Sequence, residues 1–147
     1  MSAVEEPTPR DLPTEAQLRR VKTGLSRKDL NHYRERLLKK RAEIIGDVTK
    51  METDARNPNS GGNLSSMPMH MADIGSDNYE QEFTLGLVES ERRLLRLIDE
   101  ALMRLSNKTY GVCIETAKPI GRARLDAKPW AKYCIEVVRE KERLGQL

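Results

Sequence analysis

The sequence predicts a mainly α-helical protein: a long antiparallel helical hairpin of coiled-coil type that projects from a small base closed by a C-terminal helix. Three observations predict it. Two segments of similar length each carry one narrow apolar stripe at heptad-like spacing. A stretch rich in turn and breaker residues separates them. Beyond the second segment the composition shifts to Gly, Pro and Ala around the two cysteines, Cys113 and Cys134.

Taken in order, residues 1–25 read as a flexible N-terminal tail. Pro7, Pro9 and Pro13 punctuate it, charge is scattered, and there is periodicity for no more than a turn of helix near Glu15 to Val21. Ser26 followed by Asp29 has the capping-box pattern, in which a hydroxyl and a carboxylate satisfy the free amides of a helix start. Leu30, Tyr33, Leu37, Ile44, Val48, Met51 and Ala55 then recur at steps of three, four or seven to about Arg56, and Arg41 interrupts the neighbouring stripe. A tip loop is expected at about 57–76, where Asn-Pro-Asn-Ser-Gly-Gly-Asn gives way to a Met-rich stretch with Pro68. Ser76 is placed to cap the second helix. Tyr79, Phe83, Leu87, Leu94, Ile98, Ala101 and Leu105 form its stripe, which ends before Asn107 and Gly111. Each stripe can be buried only on a partner, so the helices of 26–105 should pair antiparallel, each extending roughly 40 Å at 1.5 Å per residue. Residues 106–147 form the base, with a core of Tyr110, Val112, Ile120, Leu125, Trp130, Ile135 and Val138 and a short helix over Cys134 to Leu144.

Composition narrows the function. Charged residues make up 33% of the chain and aromatics 4%, which suits long solvated helices better than a large globular core. The net charge of +3 comes from 26 basic and 23 acidic residues that are interleaved, without the basic face of a duplex-binding protein. Sequence-specific DNA binding is therefore not expected. No apolar run approaches the roughly 18 residues of a membrane span and Met1 to Arg10 has no signal-peptide core, so a cytoplasmic protein is expected. In that reducing setting Cys113 and Cys134 are free thiols or the remnants of a metal site, not a disulfide. With two histidines, no visible nucleophile-base pair and no phosphate-cradling loop, an enzyme is the least favoured class.

Three stretches of the base carry a resemblance. Tyr110-Gly-Val-Cys-Ile-Glu-Thr-Ala-Lys-Pro-Ile-Gly, Arg124-Leu-Asp-Ala-Lys-Pro and Tyr133-Cys-Ile-Glu resemble the zinc-finger region of the DksA/TraR family, and Glu82-Phe83-Thr84-Leu85 resembles the family's segment just after the hairpin tip. The likeness covers about residues 26–147. It implies a regulator of bacterial transcription initiation and of the stringent response, which binds RNA polymerase through its secondary channel. It also implies a degenerate zinc finger. Thr116 stands where the first cysteine pair would have its second member, and Val137 where the closing pair would. Cys113 and Cys134 are the metal-site remnant. A structural zinc ion wants four ligands, and neither Thr nor Val is one. His32 could supply a third, which still leaves one wanting. The expectation is a base held by packing, with no cofactor required and no tight zinc binding.

The same resemblance assigns the tip residues. Asp73, Asp77 and Glu80 would carry negative charge toward the polymerase catalytic centre, although Met71-Ala-Asp-Ile-Gly-Ser-Asp puts three residues between the acids where the family has two. A plainer role for Asp77 and Glu80 is to complement the positive helix N-terminus, worth about 0.3 to 1 kcal/mol each. Family members often meet the alarmone ppGpp at the polymerase interface. Lys128 fills one such basic position, while Leu97 and Val138 stand where others carry lysine, so alarmone synergy should be weaker or differently arranged. A monomer is expected. The competing readings are a coiled-coil adaptor and a small zinc-finger-like nucleic-acid binder without polymerase activity.

Overall fold

The computed structural model describes residues 12–56 and 71–146, apart from the side chains of 55–56 and 71–80. Among the described residues there are five helices: α1 (Glu15–Arg19), α2 (Arg27–Arg56), α3 (Met71–Asn107), α4 (Arg122–Ala127) and α5 (Ile135–Arg143). The fold is mainly helical, a coiled-coil hairpin with a zinc-finger-like base. None of its described helices is long and apolar enough to cross a membrane. The chain divides into two compact units, one built from residues up to Leu37 and from Leu97 onward, the other from Leu38–Arg96.

The second unit is made of α2 and α3. Its buried residues are Ile44 and Val48 on α2 and Val88 on α3, and the Glu52 carboxylate pairs with the Arg92 guanidinium between the helices. Ile44 and Val48 belong to the expected α2 stripe. On α3 the expected stripe is corrected: Leu87 is exposed and Phe83 is 60% exposed, whereas Val88 is buried. Leu87 and Val88 are about 100° apart on a helix, so spacing alone could not choose between them. A second difference concerns the start of α3. The helix takes in residues 71–76, which the sequence assigned to the loop, so Ser76 lies inside it and is not its cap. Met71, Ala72 and Ile74 tolerate helix, and one glycine at 75 costs only about 1 kcal/mol. Residues 57–70 lie outside the described residues.

The first unit holds the remaining core. Tyr33 and Leu37 of α2, Ile98 and Ala101 of α3, and Tyr110, Val112, Ile120 and Leu125 beyond them are all buried. The Ser26 capping box forms as expected, with the Ser26 amide donating to Asp29 Oδ2 at 2.8 Å and the Asp29 amide donating to Ser26 Oγ at 3.1 Å. Helix α3 ends in a Schellman arrangement: the Thr109 amide reaches the Arg104 carbonyl at 2.9 Å, the Lys108 amide the Leu105 carbonyl at 3.4 Å, and Lys108 takes a φ of 64°.

Residues 12–25, expected as part of a flexible tail, are instead built onto this unit. Thr14 and Gln17 form a second capping box around α1, and Leu18 is buried. Arg19 Nε donates to the Asn107 carbonyl at 2.9 Å, satisfying a free acceptor at the end of α3. The Leu25 side chain lies so close to Gly111, at φ 84°, that a Cβ there would meet Leu25 Cδ1 at 2.9 Å. Prolines and charge signalled disorder, but two well-placed leucines suffice to dock a short segment.

Candidate functional site

The knuckle is a tight turn of backbone around one sulfur. Val112 and Pro119 form an isolated antiparallel bridge; the Cys113 amide donates to the Lys118 carbonyl at 2.8 Å and the Ile120 amide to the Gly111 carbonyl at 2.8 Å. The Ala117 amide closes back on the Cys113 carbonyl at 2.9 Å, with Ala117 itself at φ 59°. This fold-back turns the amides of Glu115 and Thr116 toward the Cys113 sulfur. The second cysteine arrives from the other side of the base. Cys134 is the N-cap of α5, and the Ile114 amide bonds to the Lys132 carbonyl at 3.0 Å, tying the two segments together.

Both thiols are free and buried. Thr116 Oγ1 lies 3.7 Å from Cys134 Sγ. Burial pushes the Cys113 thiol up. The Thr116 hydroxyl and the amides of Cys134, Glu115 and Thr116 outweigh that, and the thiol ends below its ordinary value. Burial also pushes the Cys134 thiol up, and here the Val137 amide and Thr116 hydroxyl do not prevail against it, since the Glu136 carboxylate and Cys113 favour the protonated form. Val137 is buried, which corrects the expected core: Ile135 is 40% exposed and Val138 half-buried, so α5 presents Val137 inward. Trp130 is also only half-buried.

Thr116 and Cys134 are thus neighbours across the base, but the donor set at the four positions of a thiolate site does not fit zinc. Two sulfurs are joined by a hydroxyl and an isopropyl group, and among the described residues no cluster of three or more Cys, His, Asp or Glu could hold a metal. His32 does not complete one, its described neighbour being the ring of Tyr33 at 5.4 Å.

The other sequence-assigned residues are not gathered here. Positions 73, 77 and 80 stand about one turn apart on the backbone of α3, and the side chains of Asp73, Asp77 and Glu80 lie outside the described residues. Lys128 is exposed at the C-cap of α4. Sequence reasoning missed three polar anchors. Arg122 grips the Asp29 carboxylate with both terminal nitrogens; Tyr33 donates to Asp126 Oδ1 at 2.6 Å; and the half-buried Arg104 guanidinium reaches the Trp130 carbonyl at 3.4 Å while its Nε finds no hydrogen-bond partner among the described residues. Asp126 and Arg122 lie in or beside the Arg124-Leu-Asp-Ala-Lys-Pro stretch, which was the available signal.

Comparison with known proteins fits this geometry. Residues 108–143 match the family described as the prokaryotic dksA/traR C4-type zinc finger. A protein of Aquifex aeolicus is 35% identical over 115 residues, 78% of this chain and 77% of that one. The RNA polymerase-binding transcription factor DksA of Caulobacter vibrioides is 30% identical over 120 residues, 79% of this chain and 78% of that one. Among solved structures, that of transcription factor DksA2 from Pseudomonas aeruginosa superposes with a TM-score of 0.68 at 32% identity, covering 83% of this chain and 89% of that one.

Proposed function

The chain belongs to the DksA/TraR family, and on that footing we propose that it is a non-enzymatic regulator of transcription initiation that binds bacterial RNA polymerase directly. The observation that carries the reading is the likeness to the Caulobacter factor, named for polymerase binding, along more than three quarters of both chains. Interleaved surface charge supports a protein partner over a DNA duplex.

In this reading the hairpin enters the secondary channel tip first, which brings Asp73, Asp77 and Glu80 toward the catalytic centre. Carboxylates near the catalytic Mg²⁺ and its mobile surroundings act through Coulomb forces that strengthen where water is scarce, and so alter the lifetime of the open complex. Lys128 faces the polymerase from the base and contributes to any alarmone contact; with Leu97 and Val138 apolar, that contact is weak. The protein acts as a monomer in the cytoplasm.

The test is capture of purified core polymerase, followed by competition with another secondary-channel factor. Displacement is expected, and the Asp73→Asn/Asp77→Asn double variant should keep binding while losing its effect on initiation. A chain that ignores polymerase ends the proposal. The exposed Phe83, Leu85 and Leu87 on α3 favour one alternative, an adaptor that docks another helix. A dimer in sedimentation, together with failure to bind polymerase, would select it.

A further inference from the structure

We propose that residues 12–25 are an intramolecular strap that holds the base closed where a C4 base would rely on zinc. The base needs such a device. Residues 106–147 make a unit of about 40 residues, a size that usually requires a disulfide, a metal or further packed chain to hold its core. Both cysteines are free thiols, and Thr116 and Val137 stand where zinc would require donors. Further chain is what remains. The roots of α2 and α3 give part of it through Tyr33, Leu37, Ile98 and Ala101, and the strap gives the rest.

The strap grips three separate segments of the base. At the end of α3, Arg19 Nε donates to the Asn107 carbonyl at 2.9 Å. At the start of the knuckle, Thr23 and Leu25 close over Gly111, where a Cβ would lie 3.5 Å from Thr23 Cγ2 and 2.9 Å from Leu25 Cδ1. At the start of α4, Arg122 Nη2 donates to the Gly24 carbonyl at 3.4 Å. The same guanidinium holds Asp29 in the first turn of α2, so the tie extends to the root of the hairpin. Leu18 is buried and anchors the segment by apolar area as well. Gly111 is also the residue whose carbonyl receives the Ile120 amide, so the strap bears directly on the hydrogen bonds that shape the knuckle. Order in the base is thereby conditional on a segment that can be drawn away from it.

The experiment follows hydrogen exchange of the Cys113 and Ile120 amides, which donate within the knuckle, in two full-length backgrounds. One is the natural chain; the other carries Thr116→Cys/Val137→Cys and is loaded with zinc. Leu18→Ala/Leu25→Ala should speed exchange of both amides by at least ~30-fold in the natural chain and by less than ~3-fold in the zinc-loaded one. If the double variant fails to fold in the natural background yet folds with zinc in the other, the strap is supported in stronger form. Unchanged exchange in the natural chain, or equal acceleration or unfolding in both backgrounds, would overturn the proposal. Failure of the four-cysteine chain to take up zinc would overturn it as well, because the strap would then stand in for nothing.

Discussion

At the scale of the residue, the most consequential contact is the phenol of Tyr33, buried in the first unit and donating to Asp126 at 2.6 Å. Burial first, then this hydrogen bond, raises its pKa from 10.0 to about 12. The folded value exceeds the unfolded one, so the contribution to stability is complete below pH 10 and is lost as pH rises toward 12. Tyr33→Phe should lower the free energy of unfolding in urea by about 1 to 3 kcal/mol, the worth of a hydrogen bond to a charged group, and should flatten the loss above pH 10. An alkaline profile identical to that of the unaltered chain would show that the phenol is not its source. The sequence made Tyr33 legible as a stripe residue but not its partner. Hydrophobic period reports which side of a helix is covered, and it is silent about a carboxylate 93 positions away. The knuckle around Cys113 was legible through the resemblance of Tyr110-Gly-Val-Cys-Ile-Glu-Thr to a family motif, not through hydrophobic period.

At the scale of the element, α3 ends on Lys108 in the left-handed region, at φ 64°, where glycine is the ordinary occupant. Lys108→Gly should therefore stabilise the protein by about 0.5 to 1 kcal/mol, despite the greater freedom of glycine in the unfolded chain. Thermal unfolding of the two forms compares them directly, and a lower midpoint for the glycine variant would contradict the assignment. The helices themselves were largely readable. The Ser26 capping box and the stripe through Tyr33, Leu37, Ile44 and Val48 come straight from residue types and spacing. What spacing left undecided was the choice between adjacent apolar residues: Leu87 or Val88 on α3, Val137 or Val138 on α5. That choice depends on which side the neighbouring chain lies, a tertiary fact absent from local pattern. The start of α3 was misjudged for a related reason, since Gly75 and Ser76 are turn formers by preference and a helix can still run through them.

At the scale of the whole molecule, Thr116 beside Cys134 and Val137 one helical turn beyond it stand where a C4 base would carry thiolates, and we propose that the packing of the base relies on no metal. Thr116→Cys/Val137→Cys should then gain zinc binding and stability, by about 4 kcal/mol at a thousandfold excess of zinc over Kd. The natural chain should unfold at the same temperature with zinc or with a zinc chelator, and a clear fall in midpoint on chelation would disprove reliance on packing alone. The fold class, a helical hairpin with a zinc-finger-like base, was legible because stripes, breakers and the knuckle motifs agree. The docking of residues 12–25 was not, since Leu18, Arg19 and Leu25 show no period of their own. That docking has a consequence for proteolysis. Trypsin must draw several residues into an extended strand before it cuts, so Arg20 and Lys22 should resist digestion for as long as Leu18 and Leu25 stay seated. Cleavage there would unplug the carbonyl end of α3, making the survival of these two bonds a running gauge of whether the N-terminal segment is still in place.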